Sequence, residues 1–206
     1  MTSAQVFTRF VPPEAVQYCD QLYQQLNFEF KVKKSRQTKL GDYRYNFRTG
    51  QKTITVNNDL NPYAFLITYL HEVAHLMAFK QYGRNIKPHG GEWKQCFREI
   101  AFPILNPRVL PEPVDQALKN YLANPKASSC ADPKLYRVLR QFDQKQGAFL
   151  LSSVSEGELF CFQGVQYRKL KKKRTRSICV RIDTKKKYLI AELAEVSKSN
   201  PEPLSP

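Results

Sequence analysis

Histidine is scarce in this chain of 206 residues: there are three, and all fall between positions 71 and 89. A residue type used so sparingly and in one place is best read as a group. Paired cysteines are missing too. The five cysteines, Cys19, Cys96, Cys130, Cys161 and Cys179, are odd in number and form no CxxC knuckle, which excludes a disulfide framework and a zinc ribbon. They read as reduced thiols. No stretch approaches the roughly 18 apolar residues of a membrane span. The N-terminus lacks a basic start followed by an apolar run, so no secretion signal is expected. The expected location is the cytoplasm, at the nucleoid if the source is bacterial, and no membrane partner is expected.

Acidic residues are also few. Eighteen Asp and Glu face 33 Lys and Arg, for a net charge of +15. The excess sits in two islands: eight basic residues against Asp42 alone between Lys31 and Lys52, and eleven against Asp183 alone between Val165 and Ile190. The rest of the chain is close to neutral. Islands of this kind attract polyanions through phosphate contacts and counterion release. The expected partner is therefore nucleic acid, with DNA, single-stranded or damaged, as the leading form. The candidate contacts are Lys33, Lys34 and Arg36 in the first island and Lys171, Lys172, Lys173, Arg174 and Arg176 in the second. Tyr43, Tyr45, Phe47 and Tyr167 lie among them and are placed to stack on unpaired bases, although strand alternation makes some of them core residues instead.

The histidines stand as His71-Glu72-Val73-Ala74-His75, an HExxH pattern, and His89 in Lys87-Pro88-His89-Gly90-Gly91-Glu92-Trp93. On a helix, positions four apart lie on one face about 6 Å apart along the axis, so His71 and His75 can grip one ion. A hydrolytic zinc site takes three protein ligands and water. His89 is the expected third ligand, with Glu92 and Glu99 as alternatives. Glycine at 78 and histidine at 81 would mark the HExxHxxGxxH form, but the chain has Ala78 and Gln81, which excludes that clan. Glu72, about 100° around the helix from His71, is placed as general base on a zinc-activated water. The expected cofactor is Zn2+ and the expected chemistry is hydrolysis of peptide bonds in protein substrates.

Periodicity supplies the frame. Pro12-Pro13 opens a helix carrying Val16, Cys19, Leu22, Tyr23 and Leu26. Alternation over 28–32 and 43–47 and the β-branched run 53–56 predict a three-stranded sheet. Pro62 opens the metal helix, which Gly83 stops, and two shorter helices follow around Trp93–Ile100 and Val114–Leu122. Past a polar stretch at 124–131, Asp132-Pro133 caps a helix. Strands are then expected near 148–152, 159–167, 176–182 and 187–193, with Lys171–Arg174 as a turn tip, in a small barrel-like β module. The fold class is α+β. The expected division is a peptidase domain over 1–126, a linker helix and small basic β module over 127–196, and a disordered tail over 197–206.

The run Leu70–Leu76 with His89-Gly90 and Trp93, preceded by Lys39-Leu40-Gly41 and Ile54-Thr55-Val56-Asn57, resembles the SprT-like zinc metallopeptidases, the Spartan-related family, over about residues 10 to 105. The resemblance implies a zincin-like domain in which His71, His75 and His89 bind zinc and Glu72 is catalytic. It also implies proteolysis of DNA-associated proteins, including proteins crosslinked to DNA, and hence a part in DNA repair. Members often carry a zinc ribbon after the peptidase domain, and this chain has no cysteine pairs for one. The alternative reading is a nucleic-acid-binding protein whose zinc is structural or vestigial.

Overall fold

Prolines and polar caps set where the helices of the N-terminal half begin. In the computed structural model, which describes residues 3–36, 38–126, 132–143 and 148–198, helix α1 spans Ser3–Phe10. A short 3-10 turn at Pro13–Ala15 leads into α2, Val16–Leu26. Asn27 ends α2 in the left-handed region, at φ 47°, which its short polar side chain tolerates. The longest helix, α3, runs Pro62–Tyr82. Asn61 caps it by accepting the Ala64 N–H, Pro62 supplies the first turn, and Gly83 at φ 78° ends it. Among the described residues, the remaining α-helices are α4 (Gly91–Ala101), α5 (Glu112–Ala123) and α6 (Pro133–Arg140).

Strands β1 (Glu29–Lys33), β2 (Gly41–Tyr45) and β3 (Lys52–Asn57) form the expected three-stranded sheet in the order β1-β3-β2. β3 pairs parallel with β1 and antiparallel with β2. The Asn57 N–H bonds to the Leu40 carbonyl at 2.9 Å and the Asn46 N–H to Gln51 at 2.8 Å. Bonded pairs alternate along an antiparallel ladder, so Asp42 and Arg44 also turn their backbone groups toward β3. Those of Gly41, Tyr43 and Tyr45 point out from the free edge. α3 lies against this sheet and is buried around almost its whole circumference from Ala64 to Ala74. Aromatic rings fill the junction: Phe7 stacks on Phe30 at 5.3 Å and meets Tyr69 edge-on at 5.0 Å. α1 is therefore part of the core, although no periodic signal marked it.

The chain divides into two compact units, Met1–Asp143 and Gln144–Pro206. The boundary expected near 126 moves to 143 because α6 buries Leu135 and Leu139 in the first core, and the Leu139 carbonyl accepts from Asn61 Nδ2 at 2.9 Å. The second unit contains β4 (Ala148–Leu150), β5 (Leu159–Phe162), β6 (Val165–Lys173), β7 (Arg176–Arg181), β8 (Lys187–Ala191) and β9 (Glu195–Lys198). Their order is β4-β9-β5-β6-β7-β8, and no pairing among the described residues closes it into a barrel. The single strand expected over 159–167 is two, split by a tight turn at Gln163 (φ 51°) and Gly164 (φ 77°). Lys171–Lys173, expected at a tip, extend β6, and the turn falls on Arg174 and Thr175. Of the tail expected to be disordered, Ser197 and Lys198 belong to β9, and 199–206 lie outside the described residues. So do 127–131 of the polar stretch. No described helix is long and apolar enough to cross a membrane.

Candidate metal centre

His71 and His75 are carried by α3 one turn apart, as their spacing requires, and the chain must then return to bring His89 beside them. It leaves α3 at Gly83 and comes back through Lys87–Gly90, with His89 in the left-handed region at φ 57°. A non-glycine residue held there is an unusual conformation that the surrounding structure must support. Gly90 supports it: its N–H bonds to the Lys87 carbonyl at 2.8 Å, and a Cβ at this position would lie 2.8 Å from that same oxygen. The turn therefore accepts only glycine there without shifting backbone.

The three Nε2 atoms form a nearly equilateral triangle, with sides of 3.3, 2.9 and 3.3 Å. Hydrogen bonds among themselves do not account for it. Whichever tautomers are chosen, at least two of three nitrogens are alike, both protonated or both bare. A central cation satisfies all three lone pairs at once. Nitrogens bound at about 2.0–2.1 Å to a tetrahedral zinc stand about 3.3 Å apart, so the dimensions suit zinc. The group capable of holding a metal is His71, His75 and His89, and among the described residues it includes neither Glu92 nor Glu99. Burial and the neighbouring imidazoles push His71 well below its ordinary pKa, and burial, with His89, pushes His75 down to about 3. Burial lowers His89 as well. All three are thus neutral near neutral pH, with a lone pair to give.

Trp93, at the start of α4, forms the floor. Its ring lies 4.6, 5.2 and 4.7 Å from those of His71, His75 and His89 and stacks on Phe97 at 5.1 Å. Trp93 is fully buried, and its Nε1 has no hydrogen-bond partner among the described residues. The side chain packs as an apolar plate that fixes the imidazole directions. Three residues separate it from His89, and that spacing, with its place in the motif that resembles the SprT-like family, is the sequence signal for this position.

Glu72 turns away from the histidines' face toward β2. Its carboxylate accepts a hydrogen bond from the Tyr43 backbone, whose N–H is one of those facing out from the sheet edge. A Cβ on Gly41 would lie 2.6 Å from Glu72 Oε1 and 2.8 Å from Thr68 Cγ2, which explains why glycine opens β2. Burial raises the Glu72 pKa to about 8, and Asp42 adds to the rise; the Tyr43 bond, Arg36 and Lys39 oppose it. Asn57, buried at 1% exposure, binds the backbone carbonyls of Arg36 and Lys39 and accepts from Arg36 Nε, so it ties the β1–β2 connection to β3. The resemblance includes Asn57 in the run Ile54–Asn57, but spacing alone does not reveal this bracing role.

Residues 13–111 match the sequence model of the SprT-like family. This is the family that the motif resembles, and it is metallopeptidase-related. Comparison with curated proteins and with solved structures gave no match. The SprT-like stretch contains the sheet, α3, all three histidines, Glu72 and Trp93.

The candidate nucleic-acid contacts are divided between the two units. Lys33 and Lys34 are exposed, whereas Arg36 is half-buried and committed to Asn57. Within the same island Lys31 pairs with Glu29 at 2.7 Å and Lys39 with Asp42 at 2.9 Å, and Arg44 also pairs with Asp42. Tyr43 and Tyr45 pack toward Phe79 of α3, at 6.4 and 4.6 Å, while Phe47 remains 68% exposed. In the second unit Lys171, Lys173, Arg174 and Arg176 are exposed. Lys172 is drawn toward acids: its backbone N–H bonds to Glu156, and its Nζ lies 3.6 Å from Glu192.

Proposed function

We propose that the chain is a zinc-dependent endopeptidase of SprT-like type with a zincin-like catalytic domain. The observation that carries this reading is the convergence of three neutral imidazole nitrogens at tetrahedral spacing, with an ionisable glutamate on the same helix at the free edge of a sheet. When bound, zinc polarises a carbonyl and lowers the pKa of water to about 7. Glu72 takes the proton of the attacking water and returns it to the leaving amine. The outward groups of Gly41, Tyr43 and Tyr45 hold an extended substrate as an added strand, except for the Tyr43 N–H already bound to Glu72. Recognition through main-chain bonds gives weak side-chain preference. The substrates are proteins associated with nucleic acid, including proteins crosslinked to DNA, a reading supported by the two basic islands.

The test is cleavage of a DNA-binding protein by the zinc-loaded full chain, with and without single-stranded DNA, beside Glu72→Gln. Wild type should cleave, and the variant should lose about 10²- to 10⁴-fold in rate while keeping one equivalent of zinc. Undiminished cleavage by the variant would remove Glu72 from the mechanism. One equivalent of zinc in wild type without cleavage would favour the alternative, a nucleic-acid-binding protein with a structural or vestigial metal.

A further inference from the structure

The second basic island has a two-sided geometry that its sequence conceals. In β6 the register shifts between Lys169 and Lys171, so that Leu170 is an extra residue. Side chains alternate along a strand, and one inserted residue exchanges the faces beyond it. Without the bulge, Lys172 would share a face with Arg168, and Lys171 and Lys173 would fall on the side of buried Lys169. With it, Lys171 pairs across to Ile178 and Lys173 to Arg176.

Cross-strand partners share a face, so the registers of β6, β7 and β8 define a grid of three rows. They are Arg168–Val180–Lys187, Lys171–Ile178–Leu189 and Lys173–Arg176–Ala191. The opposite face carries Ser177, Cys179 and Ile190 in the core of the unit. On the grid all five basic residues are exposed, and Leu189 is 53% exposed. No position of the grid is acidic. The ion pairs of this sheet among the described residues are formed by Lys169, Lys172 and Arg181, none of which is in the grid.

We propose that this face, with Arg168, Lys171, Lys173, Arg176 and Lys187 around an aliphatic centre, binds the phosphodiester backbone of a nucleic acid without reading its bases. The proposal deepens the nucleic-acid part of the proposed function and does not depend on the peptidase part. Same-face neighbours along a strand stand about 7 Å apart, a spacing comparable to that of successive phosphates. Five cations with no carboxylate partner among the described residues are complementary to a polyanion. Ile178, Val180 and Leu189 offer contact to sugars but no stacking platform. The aromatics that could stack lie elsewhere, with Tyr188 turned to the other face against Tyr167 at 5.7 Å. A lipid surface fits less well, because the turns at either end of the grid, Arg174-Thr175 and Asp183–Lys186, carry no aromatic or leucine to insert.

The test is fluorescence anisotropy of the full chain, in wild-type and Glu72→Gln forms, with a labelled mixed-sequence duplex over a range of salt. The triple variant Lys171→Gln, Lys173→Gln, Arg176→Gln removes three contacts. A matched control, Lys119→Gln, Lys134→Gln, Arg137→Gln, removes the same charge from exposed helical positions of the first unit. The grid variant should weaken binding at least about tenfold and reduce the slope of log K against log salt by about 3. The control should match wild type, and A·T-rich and G·C-rich duplexes should bind alike. Arg168→Gln with Lys187→Gln gives a second, independent loss should the triple variant melt early. Equal losses in grid and control variants, strong dependence on base composition, or binding to phosphatidylserine vesicles but not to duplex would each overturn the proposal. Glu72→Gln should bind as wild type does, so absence of cleavage and absence of binding are read separately.

Discussion

Glu72 in the first unit and Glu192 in the second both expose little surface, at 8% and 6%, but Glu72 lies deeper, and their carboxyls shift in opposite directions. Burial acts on both and raises both. At Glu72 it prevails, because Asp42 adds to the rise and the opposing Arg36 and Lys39 are engaged elsewhere. At Glu192 it is overcome by the Ser177 hydroxyl at 2.6 Å and by Lys169, whose Nζ lies 3.2 Å away and which is itself 3% exposed. Lys169 also donates to the Leu151 and Val154 carbonyls, at 2.8 and 3.0 Å, so its charge is satisfied. The first unit thus buries neutral imidazoles and a carboxyl with no cation in direct contact. The second buries a charge with its counter-charge, and the pair tethers the loop at 151–154 to β6. Proton chemistry belongs to the first arrangement and support of a thin core to the second.

The sharpest test of this contrast is His89→Ala. Loss of a ligand should cost zinc affinity more than the roughly 10- to 100-fold expected for an outer partner. Trp93 is the only tryptophan of the chain and touches all three imidazoles, so its fluorescence should report zinc at one equivalent in wild type and not in the variant. An unchanged titration would place the metal elsewhere.

Lys169→Met should be smaller in effect and confined to the second unit. It leaves Glu192 buried without its main partner, which typically costs about 3–5 kcal/mol. Thermal unfolding should show a destabilised second unit while the Trp93 zinc response is unchanged. A shift in that response would mean the two units are not separate in stability.

The smallest effect is on pH dependence. The folded pKa of Glu192 is lowered, so its stabilisation is complete above the unfolded value, about 4.3, and disappears as pH falls through the lower folded value. Acid titration of the second unit should show this loss, and Glu192→Gln should flatten it. An equally steep acid transition in the variant would assign the loss to other carboxylates.

Much of the first unit was legible because its signals are local. Asn61-Pro62 and Gly83 bound α3 as their capping chemistry predicts, and the spacing of HExxH sets two imidazoles on one face. The three-stranded sheet followed from alternation. The second unit was less legible for a physical reason: a bulge and a two-residue turn are single-residue events. Gln163 in the left-handed region splits one expected strand, and Leu170 moves Lys171 and Lys173 to the solvent face. The helix 133–140 was recognisable by its Asp132 cap, but the core that receives Leu135 and Leu139 was not, since local periodicity identifies a face without its partner.

By itself, then, the sequence determined which side chains are available to hold a metal, which glutamate accompanies them and how charge is distributed, because these depend on residue identity and on spacing within one helix. Only the tertiary structure decided that His89 closes the triangle, that Trp93 lies beneath it, that Glu72 meets the free edge of β2 and that five of the basic residues share one sheet face. Each of these depends on a return of the chain or on a strand register, where a shift of one residue reverses the face a side chain presents.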